Sequence, residues 1–207
     1  VGVVDSGLAA AVAAAEAEHV IYMDMQLHQV VLTRLAIRDG HIKTESVVQV
    51  PGVGSQNFMD LMMQLTTGLF IQQSRFNPQH NAESEQQLYN ALPTWLRQEE
   101  NEQDSLVLEL TSGGTVYSAK LPRQSLINAL APHYQKLEQQ VAALSDGHTP
   151  QILLNEKMAG MPGFRQALQH YTDLVVLEPH ALHRGTLTYR ELIAGGDQGI
   201  RRITTLP

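Results

Sequence analysis

The sequence predicts a mixed α/β fold from its order of strand-like and helix-like segments. Three β-rich segments follow one another closely, at 19–26, 29–38 and 41–50. The Asp39-Gly40 pair between the second and the third favours a tight hairpin. Later, "PQILLNEK", "MPGFRQALQHY" and "TDLVVLEP" alternate as strand, helix and strand, which is typical of parallel strands joined by a right-handed crossover. We therefore expect a mixed five-stranded sheet, with three antiparallel and then two parallel strands and helices on both faces.

The helices are predicted from capping residues and apolar spacing. An Ala-rich helix is expected over 6–17, and we interpret it as a helix whose start has been cut off from something longer. Ser55 can cap an amphipathic helix whose apolar residues recur at helical spacing, namely Phe58, Leu61, Met62, Leu65, Leu69 and Phe70. A helix over 122–144 is expected to kink or break at Pro132. A weak helix is expected near 181–194.

An inserted unit is expected between the two parts of the sheet. Ser84 opens a predicted short helix, and "SLVLELTSGGTVYSAKLP" predicts a β-hairpin that turns at Gly113-Gly114. We assign 1–74 and 122–207 to one lobe and 75–121 to an inserted subdomain with a helix and a hairpin. We expect this sequence to be a fragment of a longer chain.

The composition narrows the kinds of partner. The net charge is −7, which argues against nucleic acid or an anionic membrane, because both bind clustered Lys and Arg. The sequence has no cysteine, which excludes disulfides, a thiolate nucleophile and cysteine-ligated zinc. No apolar run approaches the roughly 18 residues of a membrane-spanning helix. We expect a cytoplasmic protein.

Five short segments carry a resemblance to a known family. In chain order they are "VVDSGLAAAVA", "VIYMDMQLHQ", "VGSQNFMDLM", "LPRQSLINALAPHYQKLEQQV" and "ILLNEKMAGMPGF". They resemble the connecting helix, the second phosphate loop (Asp-x-Gly-Gly-Gly-Thr), the start of the next helix, the helix that leaves the insert and the adenosine segment of actin-like ATPases. The resemblance covers nearly the whole chain. It implies the ribonuclease H-like second lobe of such a domain, as in the DnaK-type heat-shock chaperones and the bacterial cell-division actin homologue.

The second phosphate loop departs from the family pattern where the family binds phosphate. By this resemblance, Asp24 matches the aspartate that holds the water shell of magnesium. Gln26, Leu27 and His28 stand at the three glycines of the pattern, and Gln29 stands at its threonine.

The other nucleotide-binding positions depart from the pattern as well. Glu156 and Lys157 replace the adenosine glycines. The frame of that motif is kept at Ala159, Met161, Pro162 and Gly163. Where the family has an adenine-contacting Glu-x-x-Lys, the chain has Pro-Thr-Trp-Leu at 93–96. Ser6-Gly7 replaces the Glu-Pro whose carboxylate helps the attacking water in the family.

Side chains at the glycine positions change what the loop can bind. Glycines allow positive φ and let amides converge on a phosphate oxygen, and a Cβ at three successive positions closes such a nest. One hydrogen bond to a charged group contributes about 1.5–3 kcal/mol, so losing two or three removes roughly 3–9 kcal/mol of binding free energy. We therefore expect no cofactor and no bound metal. The alternative is ATP with magnesium, held by Asp24 through water.

Histidines near carboxylates have plainer explanations than metal binding. Asp24 and His28 offer two ligands and no third at a diagnostic spacing, so Asp24 is expected to hydrogen-bond the neighbouring turn. His180 and His183 beside Glu178 resemble a small metal cluster, but exposed histidines are common at a strand-to-helix turn.

Three further features are expected to be structural. His133 follows a proline in a helix and is expected at the surface or at a kink. The glycine-rich loop 194–199 lacks the preceding strand and following helix of a phosphate cradle, so we interpret it as a flexible connection. In the methionine run, Met62 is expected in the core, with Met59 or Met63 partly exposed.

Three functions are open at this point. The first is a nucleotide-dead actin-like domain without catalytic residues, which packs against a missing first lobe and binds a protein or peptide partner. The second is a diverged ATPase lobe in which Asp24 takes part in catalysis. The third is an actin-like assembly scaffold that uses the acidic, Gln-rich insert 75–121 as its contact surface. The oligomeric state is left open.

Overall fold

A computed structural model of the chain describes residues 2–98, 104–195 and 199–207. Its strands are β1 (Gly2–Val4), β2 (His19–Met25), β3 (Gln29–Arg38), β4 (His41–Pro51), β5 (Ser105–Ser112), β6 (Thr115–Pro122), β7 (Gln151–Leu154), β8 (Leu174–Val176), β9 (Arg201–Ile203) and β10 (Thr205–Leu206). Its α-helices are α1 (Ser6–Ala14), α2 (Ser55–Ser74), α3 (Ala82–Gln98), α4 (Arg123–Ser145), α5 (Glu156–Ala159), α6 (Phe164–Ala167), α7 (Ala181–Thr188) and α8 (Arg190–Ala194). A short 3-10 helix, Pro78–His80, precedes α3.

Six strands form the main sheet, in the order β10-β4-β3-β2-β7-β8. Strands β4, β3 and β2 are antiparallel neighbours, whereas β2, β7 and β8 run parallel to one another. The mixed α/β class is therefore confirmed. The prediction of five strands is wrong, because Thr205 and Leu206 form a sixth strand that pairs with Lys43 and Ile42 at the edge of β4. Two residues are too few for an alternation to be recognised in a sequence.

Strand β2 lies inside the sheet and is covered on both faces. Ile21 and Met23 belong to one apolar core, to which α2 and α4 contribute, and Val20 and Tyr22 belong to another, to which α1 and α7 contribute. All four side chains are at most 1 % exposed. Because successive side chains of a strand point to opposite faces, one strand anchors helices on both sides of the sheet.

Helix α1 begins at Ser6, as predicted, so the interpretation that the start of this helix has been cut off is wrong. Strand β1 precedes the helix and pairs in parallel with β9. Arg202 of β9 donates to Asp5 just before the helix, with 2.9 Å between Nη2 and Oδ2. The helix ends at Ala14, earlier than the predicted Ala17, because Ala15 is extended with ψ 134°.

The predicted kink or break at Pro132 is not a break, because α4 runs without interruption from Arg123 to Ser145. The helix buries one face on both sides of the proline, through Leu126, Leu130, Tyr134, Leu137 and Val141. A proline inside a helix costs about 3 kcal/mol, whereas each large side chain buried in a core contributes about 1.5–3 kcal/mol. The packing of this face therefore outweighs the cost of the proline.

The segment between α2 and α4 packs on the main core. Leu88 of α3 and Leu108 of β5 belong to the same apolar core as Phe70 of α2. The hairpin β5–β6 turns at Gly113-Gly114, as predicted. Helix α3 begins at Ala82, before the predicted Ser84, because the Oδ1 atom of Asn81 accepts from the Ser84 amide at 2.8 Å.

The last third of the chain forms shorter elements than predicted. Strand β7 ends at Leu154, so Glu156 and Lys157 lie in α5 and not in a strand. The single helix predicted from "MPGFRQALQHY" is reduced to α6. The weak helix expected near 181–194 is divided at Tyr189 into α7 and α8.

His133 is partly buried in α4, beside the ring of Phe58, with 5.4 Å between the ring centroids. Its Nδ1 atom is buried and has no hydrogen-bond partner among the described residues. Burial lowers the pKa of His133, and the positive charge of Lys136 lowers it further. The protonated form is therefore disfavoured in the folded protein.

We expect His133 to make the protein less stable in mild acid. Below about pH 6.5, the ordinary pKa of histidine, the unfolded chain binds a proton at this position before the folded protein does. The free energy of unfolding therefore falls until the pH reaches the lowered pKa of the folded state. Urea unfolding of the wild type and of His133→Phe at about pH 7.5 and about pH 5.5 measures the effect. The variant should lose less stability, and equal losses would contradict the prediction.

Two helical glycines form a matched pair for a packing test. A Cβ on Gly185 of α7 would lie 2.0 Å from the carbonyl oxygen of Ala9 in α1, whereas a Cβ on Gly68 of α2 would meet no described atom within 4 Å apart from its chain neighbours and the nearby backbone of its own helix. We expect Gly185→Ala to lower the free energy of unfolding by about 1–3 kcal/mol through overpacking. Gly68→Ala should raise it by about 0.5–1 kcal/mol through helix propensity. Urea denaturation gives both values, and a Gly185→Ala protein of unchanged stability would refute the close approach of α7 to α1.

Candidate functional site

An open groove lies where three parallel strands end. Strands β2, β7 and β8 run in the same direction, so their carboxyl ends share one edge of the main sheet. The groove has a volume of about 360 Å³, and residues at or just after the ends of all three strands line it. Ligands of open α/β sheets bind outside the carboxyl ends of the strands. This groove is therefore the first candidate for a functional site.

The groove brings together candidate residues that are far apart in the sequence. Asp24 comes from the end of β2, Glu156 and Lys157 from α5, and His180 and His183 from the start of α7. The sequence indicated three unrelated features here: a phosphate-loop aspartate, a replaced adenosine motif and a histidine pair. The three features share one property in the sequence, since each lies at or just after the end of a strand. Parallel pairing of these strands places their ends side by side.

The turn after β2 is a tight hairpin. The Gln26 amide donates to the Gln29 carbonyl at 2.9 Å, which leaves Leu27 and His28 exposed at the tip. All four residues have negative φ, so the turn lacks the left-handed residue of an αR-αL amide nest. The Gln29 side chain donates to Gln26 Oε1 at 3.0 Å, and the Gln26 side chain reaches Asp24 Oδ2 at 3.5 Å. Asp24 therefore faces this turn.

The backbone carbonyls of the turn point at the start of α2. The hydrogen bonds join the Ser55 amide to the Gln26 carbonyl (2.9 Å), the Gln56 amide to the Leu27 carbonyl (2.8 Å) and the Gly52 amide to the His28 carbonyl (2.9 Å). The Gly54 amide is also engaged, since it donates to Asn57 Oδ1 at 3.1 Å. The first amides of a helix are the groups that bind anions at helix starts. Here the turn occupies the amides of Ser55 and Gln56, and the cap occupies that of Gly54.

Gly54 allows the turn to approach this closely. A Cβ at position 54 would lie 2.3 Å from the Gln29 nitrogen and 2.4 Å from the Leu27 carbonyl oxygen. These are backbone atoms of a hydrogen-bonded hairpin, which a side chain could not displace without breaking it. The glycine therefore serves the contact between two backbone segments.

The start of the adenosine-like segment lies at the groove. Asn155 Oδ1 accepts from the Met158 amide at 2.9 Å and so caps α5. This cap turns the chain out of β7 and leaves Glu156 and Lys157 exposed on the first turn.

The rest of the adenosine-like segment takes part in packing. Ala159 is only 7 % exposed. The Pro162 carbonyl accepts from the Tyr134 hydroxyl of α4 at 2.8 Å. Gly163 has φ 71°, and a Cβ there would lie 3.0 Å from Cγ2 of Ile127 in α4. The motif residues that this chain keeps therefore hold the segment against α4. This packing explains them without any contact to a ligand.

The histidine pair and its neighbouring acid do not form a metal site in the described structure. Glu178 pairs with Arg184, with 2.6 Å between Oε2 and Nη2, and both side chains are exposed. The ring centroids of His180 and His183 are 5.7 Å apart. Among the residues described, no group of three His, Asp or Glu side chains could hold a metal ion. The groove thus offers mixed charge and two imidazoles without a closed coordination shell.

Tyr22 is a residue of this region that the sequence analysis missed. It lies two positions before Asp24 on the same face of β2 and is fully buried. Its hydroxyl has no partner of normal hydrogen-bond geometry among the described residues. Burial raises the pKa of Tyr22, and the nearby Asp24 carboxylate raises it further. The alternation of β2 was the available signal, because it places positions 22 and 24 on one face.

The remaining predicted positions lie away from the groove or outside the description. Gly7 is buried, and a Cβ there would lie 2.7 Å from Cγ2 of Thr33 in β3. Met62 is fully buried and Met59 is partly exposed, as predicted. The side chains of 95–98 and residues 196–198 lie outside the described part of the chain, so the adenine-contact prediction at 93–96 and the loop prediction at 194–199 fall partly on them.

Comparison of the sequence with family models and with curated proteins finds no relative. No protein-family model matches the chain, and no curated protein matches it in sequence. In the part of the chain that is described, none of the helices has the length and apolar character needed to cross a bilayer. The interpretation of the groove therefore rests on its geometry.

We expect Tyr22→Phe to raise the free energy of unfolding by about 1 kcal/mol, because it removes a buried hydroxyl that lacks a partner. Asp24→Asn is the matched change at the neighbouring position. Without a hydrogen bond between the Tyr22 hydroxyl and the Asp24 carboxylate, the two substitutions act independently. The change in the free energy of unfolding in the double variant should then equal the sum of the changes in the two single variants. Urea unfolding gives the three differences. A loss of stability in Tyr22→Phe would show that the hydroxyl donates to Asp24.

Proposed function

We propose that the chain carries the second lobe of an actin-like ATPase domain, with a ribonuclease H-like sheet, and that its nucleotide site has been lost. The architecture supports this proposal. Four antiparallel strands, β10, β4, β3 and β2, continue into the parallel strands β7 and β8, helices cover both faces, and an α+β unit is inserted between α2 and α4. The five segments that resemble family motifs also follow one another in the sequence in the family's order.

The bonding of the turn after β2 is the observation that carries the proposal. A phosphate loop presents free amides to its ligand. Here the carbonyls of Gln26, Leu27 and His28 accept from amides at the start of α2 and just before it. A phosphate that approached the start of α2 would have to displace these bonds, each worth about 0.5–1.5 kcal/mol, and it would also meet the carbonyl oxygens of the turn, which repel it.

A lobe of this kind would act as a structural or protein-interaction module. It would pack against a first lobe and bind a protein or peptide partner, and the proposal assigns it no cofactor and no catalytic residue. The net charge of −7 supports a protein partner over nucleic acid or an anionic membrane. A cytoplasmic location is part of the proposal and agrees with a sequence that has no cysteine for a disulfide framework.

A diverged ATPase lobe is the second candidate. The groove favours it, because Asp24 and Lys157 line an opening of about 360 Å³ at the carboxyl ends of the parallel strands. In that case Asp24 would hold the water shell of magnesium and Lys157 would supply positive charge near a phosphate. An assembly scaffold that contacts its neighbours through the insert is the third.

Binding of Mg·ATP separates the first two candidates. A ligand present at a hundredfold excess over its Kd raises the free energy of unfolding by about 2.7 kcal/mol. We expect millimolar Mg·ATP to leave the urea unfolding of both the wild type and Asp24→Ala unchanged, with or without the proposed first lobe. Because Asp24 is the residue that would hold the metal, Asp24→Ala is the matched control. A stabilisation that the wild type shows and Asp24→Ala lacks would overturn the proposal in favour of the ATPase.

A further inference from the structure

The β5–β6 hairpin has two outer edges, and a side chain covers the edge of β6. Gln73 of α2 donates from Nε2 to the Lys120 carbonyl at 2.9 Å, and the Lys120 amide donates to Gln73 Oε1 at 2.8 Å. One side-chain amide thus satisfies both backbone groups of a strand residue, as a neighbouring strand would.

The contact with Gln73 also shows which residue pairs of the β5–β6 ladder are hydrogen-bonded and which are not. Because both backbone groups of Lys120 face Gln73, its pair with Val107 is a non-hydrogen-bonded pair, and the two kinds of pair alternate along the strands. The two-residue turn agrees with this alternation, because the pair that flanks it, Ser112–Thr115, is a hydrogen-bonded pair. The residues of β5 that direct their amides and carbonyls away from β6 are therefore Val107, Glu109 and Thr111.

The outer edge of β5 is open in the part of the chain that the structure describes. Among the described residues, the backbone groups of Val107, Glu109 and Thr111 that point away from β6 make no hydrogen bond. All three residues are exposed, and Val107 is 50 % exposed. An exposed edge with unpaired backbone groups is a template for another strand.

We propose that the outer edge of β5 binds an extended, basic segment of a partner protein by antiparallel strand addition. This proposal rests on the protein-interaction role proposed above and names the surface that performs it. The backbone of Val107, Glu109 and Thr111 supplies the main-chain hydrogen bonds. Glu109 lies at the centre of the edge and takes part in none of the ion pairs found among the described residues. A Lys or Arg directly opposite Glu109 is the matching cross-strand residue.

A second copy of the chain fits this edge less well than a basic segment. In a symmetric antiparallel pair of β5 strands, the register that joins Val107 to Thr111 of the second copy places Glu109 opposite its own equivalent. Like charges directly opposite each other destabilise a strand pair. Each copy also carries a net charge of −7, which adds repulsion between copies.

Three short peptides provide the probe. The first is a capped threonine-valine-lysine-valine-threonine peptide, the second has glutamate in place of lysine, and the third is the lysine peptide N-methylated at the amides that would pair with β5. We expect the lysine peptide to shift the amide NMR signals of Val107, Glu109 and Thr111. It should bind at least about fivefold more tightly than the glutamate peptide, and the N-methylated peptide should not bind.

Two variants at one position test the edge from the protein side. Val107→Pro removes an outward amide and leaves the β5–β6 ladder intact, because proline is tolerated where the N–H faces solvent. Val107→Ala keeps the amide and loses the side chain. We expect Val107→Pro to weaken binding of the lysine peptide about tenfold, as the loss of a main-chain hydrogen bond implies, and Val107→Ala to weaken it by less than about threefold. Urea unfolding of both variants checks that they fold.

Several results would overturn the proposal. They are equal binding of the lysine and glutamate peptides, binding of the N-methylated peptide, and no binding of the lysine peptide at millimolar concentration. Sedimentation that shows self-association in the wild type and none in Val107→Pro would assign the edge to a second copy. Nucleotide binding is measured at the groove with Asp24→Ala, so failure of the nucleotide-dead proposal and failure of this one are distinguishable.

Discussion

The position of β2 between an antiparallel and a parallel neighbour is the constraint on which the rest of the molecule depends. The strand is paired on both edges and buried on both faces. A shift of one residue would exchange Ile21 and Met23 with Tyr22 and Asp24, and it would place a carboxylate in an apolar core. The register that avoids this also sets the carboxyl end of β2 beside those of β7 and β8. The groove is therefore a consequence of the sheet, whichever residues line it.

The groove and the turn beside it differ in what maintains them. The groove follows from topology and persists through changes of its lining. A phosphate-binding turn depends on particular residues, because its amides must stay unpaired until the ligand arrives, and unpaired buried amides cost stability. In this chain the carbonyls of Gln26, Leu27 and His28 bond to amides at and before the start of α2. These bonds stabilise the joint between the hairpin and the helix, and the groups that form them need no ligand.

Features set by local periodicity could be predicted from the sequence, and features set by contacts between distant segments could not. The hairpin at Asp39-Gly40 carries its own turn signal, and apolar spacing predicted the helix that begins at Ser55. The prediction that Ser55 caps this helix is wrong, because its N-cap is Gly54, whose amide donates to Asn57 Oδ1. The continuity of α4 through Pro132 depends on the core that the helix covers, which no local signal reports. The grouping of Asp24 with His180 likewise needs the parallel pairing of β2, β7 and β8. The resemblance indicated which family motif each segment matched. It did not indicate that Asp24 and His180 lie in one groove, because that follows from the topology of the sheet.

The treatment of strand edges shows that the chain has more than one way to cover them. Strand β10 pairs with the edge of β4, and Gln73 spans the edge of β6. Among the described residues, the outer edge of β5 has neither a pairing strand nor a covering side chain. It presents the carboxylate of Glu109 between two uncharged residues, Val107 and Thr111. A single charge at the centre opposes pairing with an identical strand while it favours pairing with a basic one. Such an edge is selective about its partner in a way that a fully covered or a fully apolar edge cannot be.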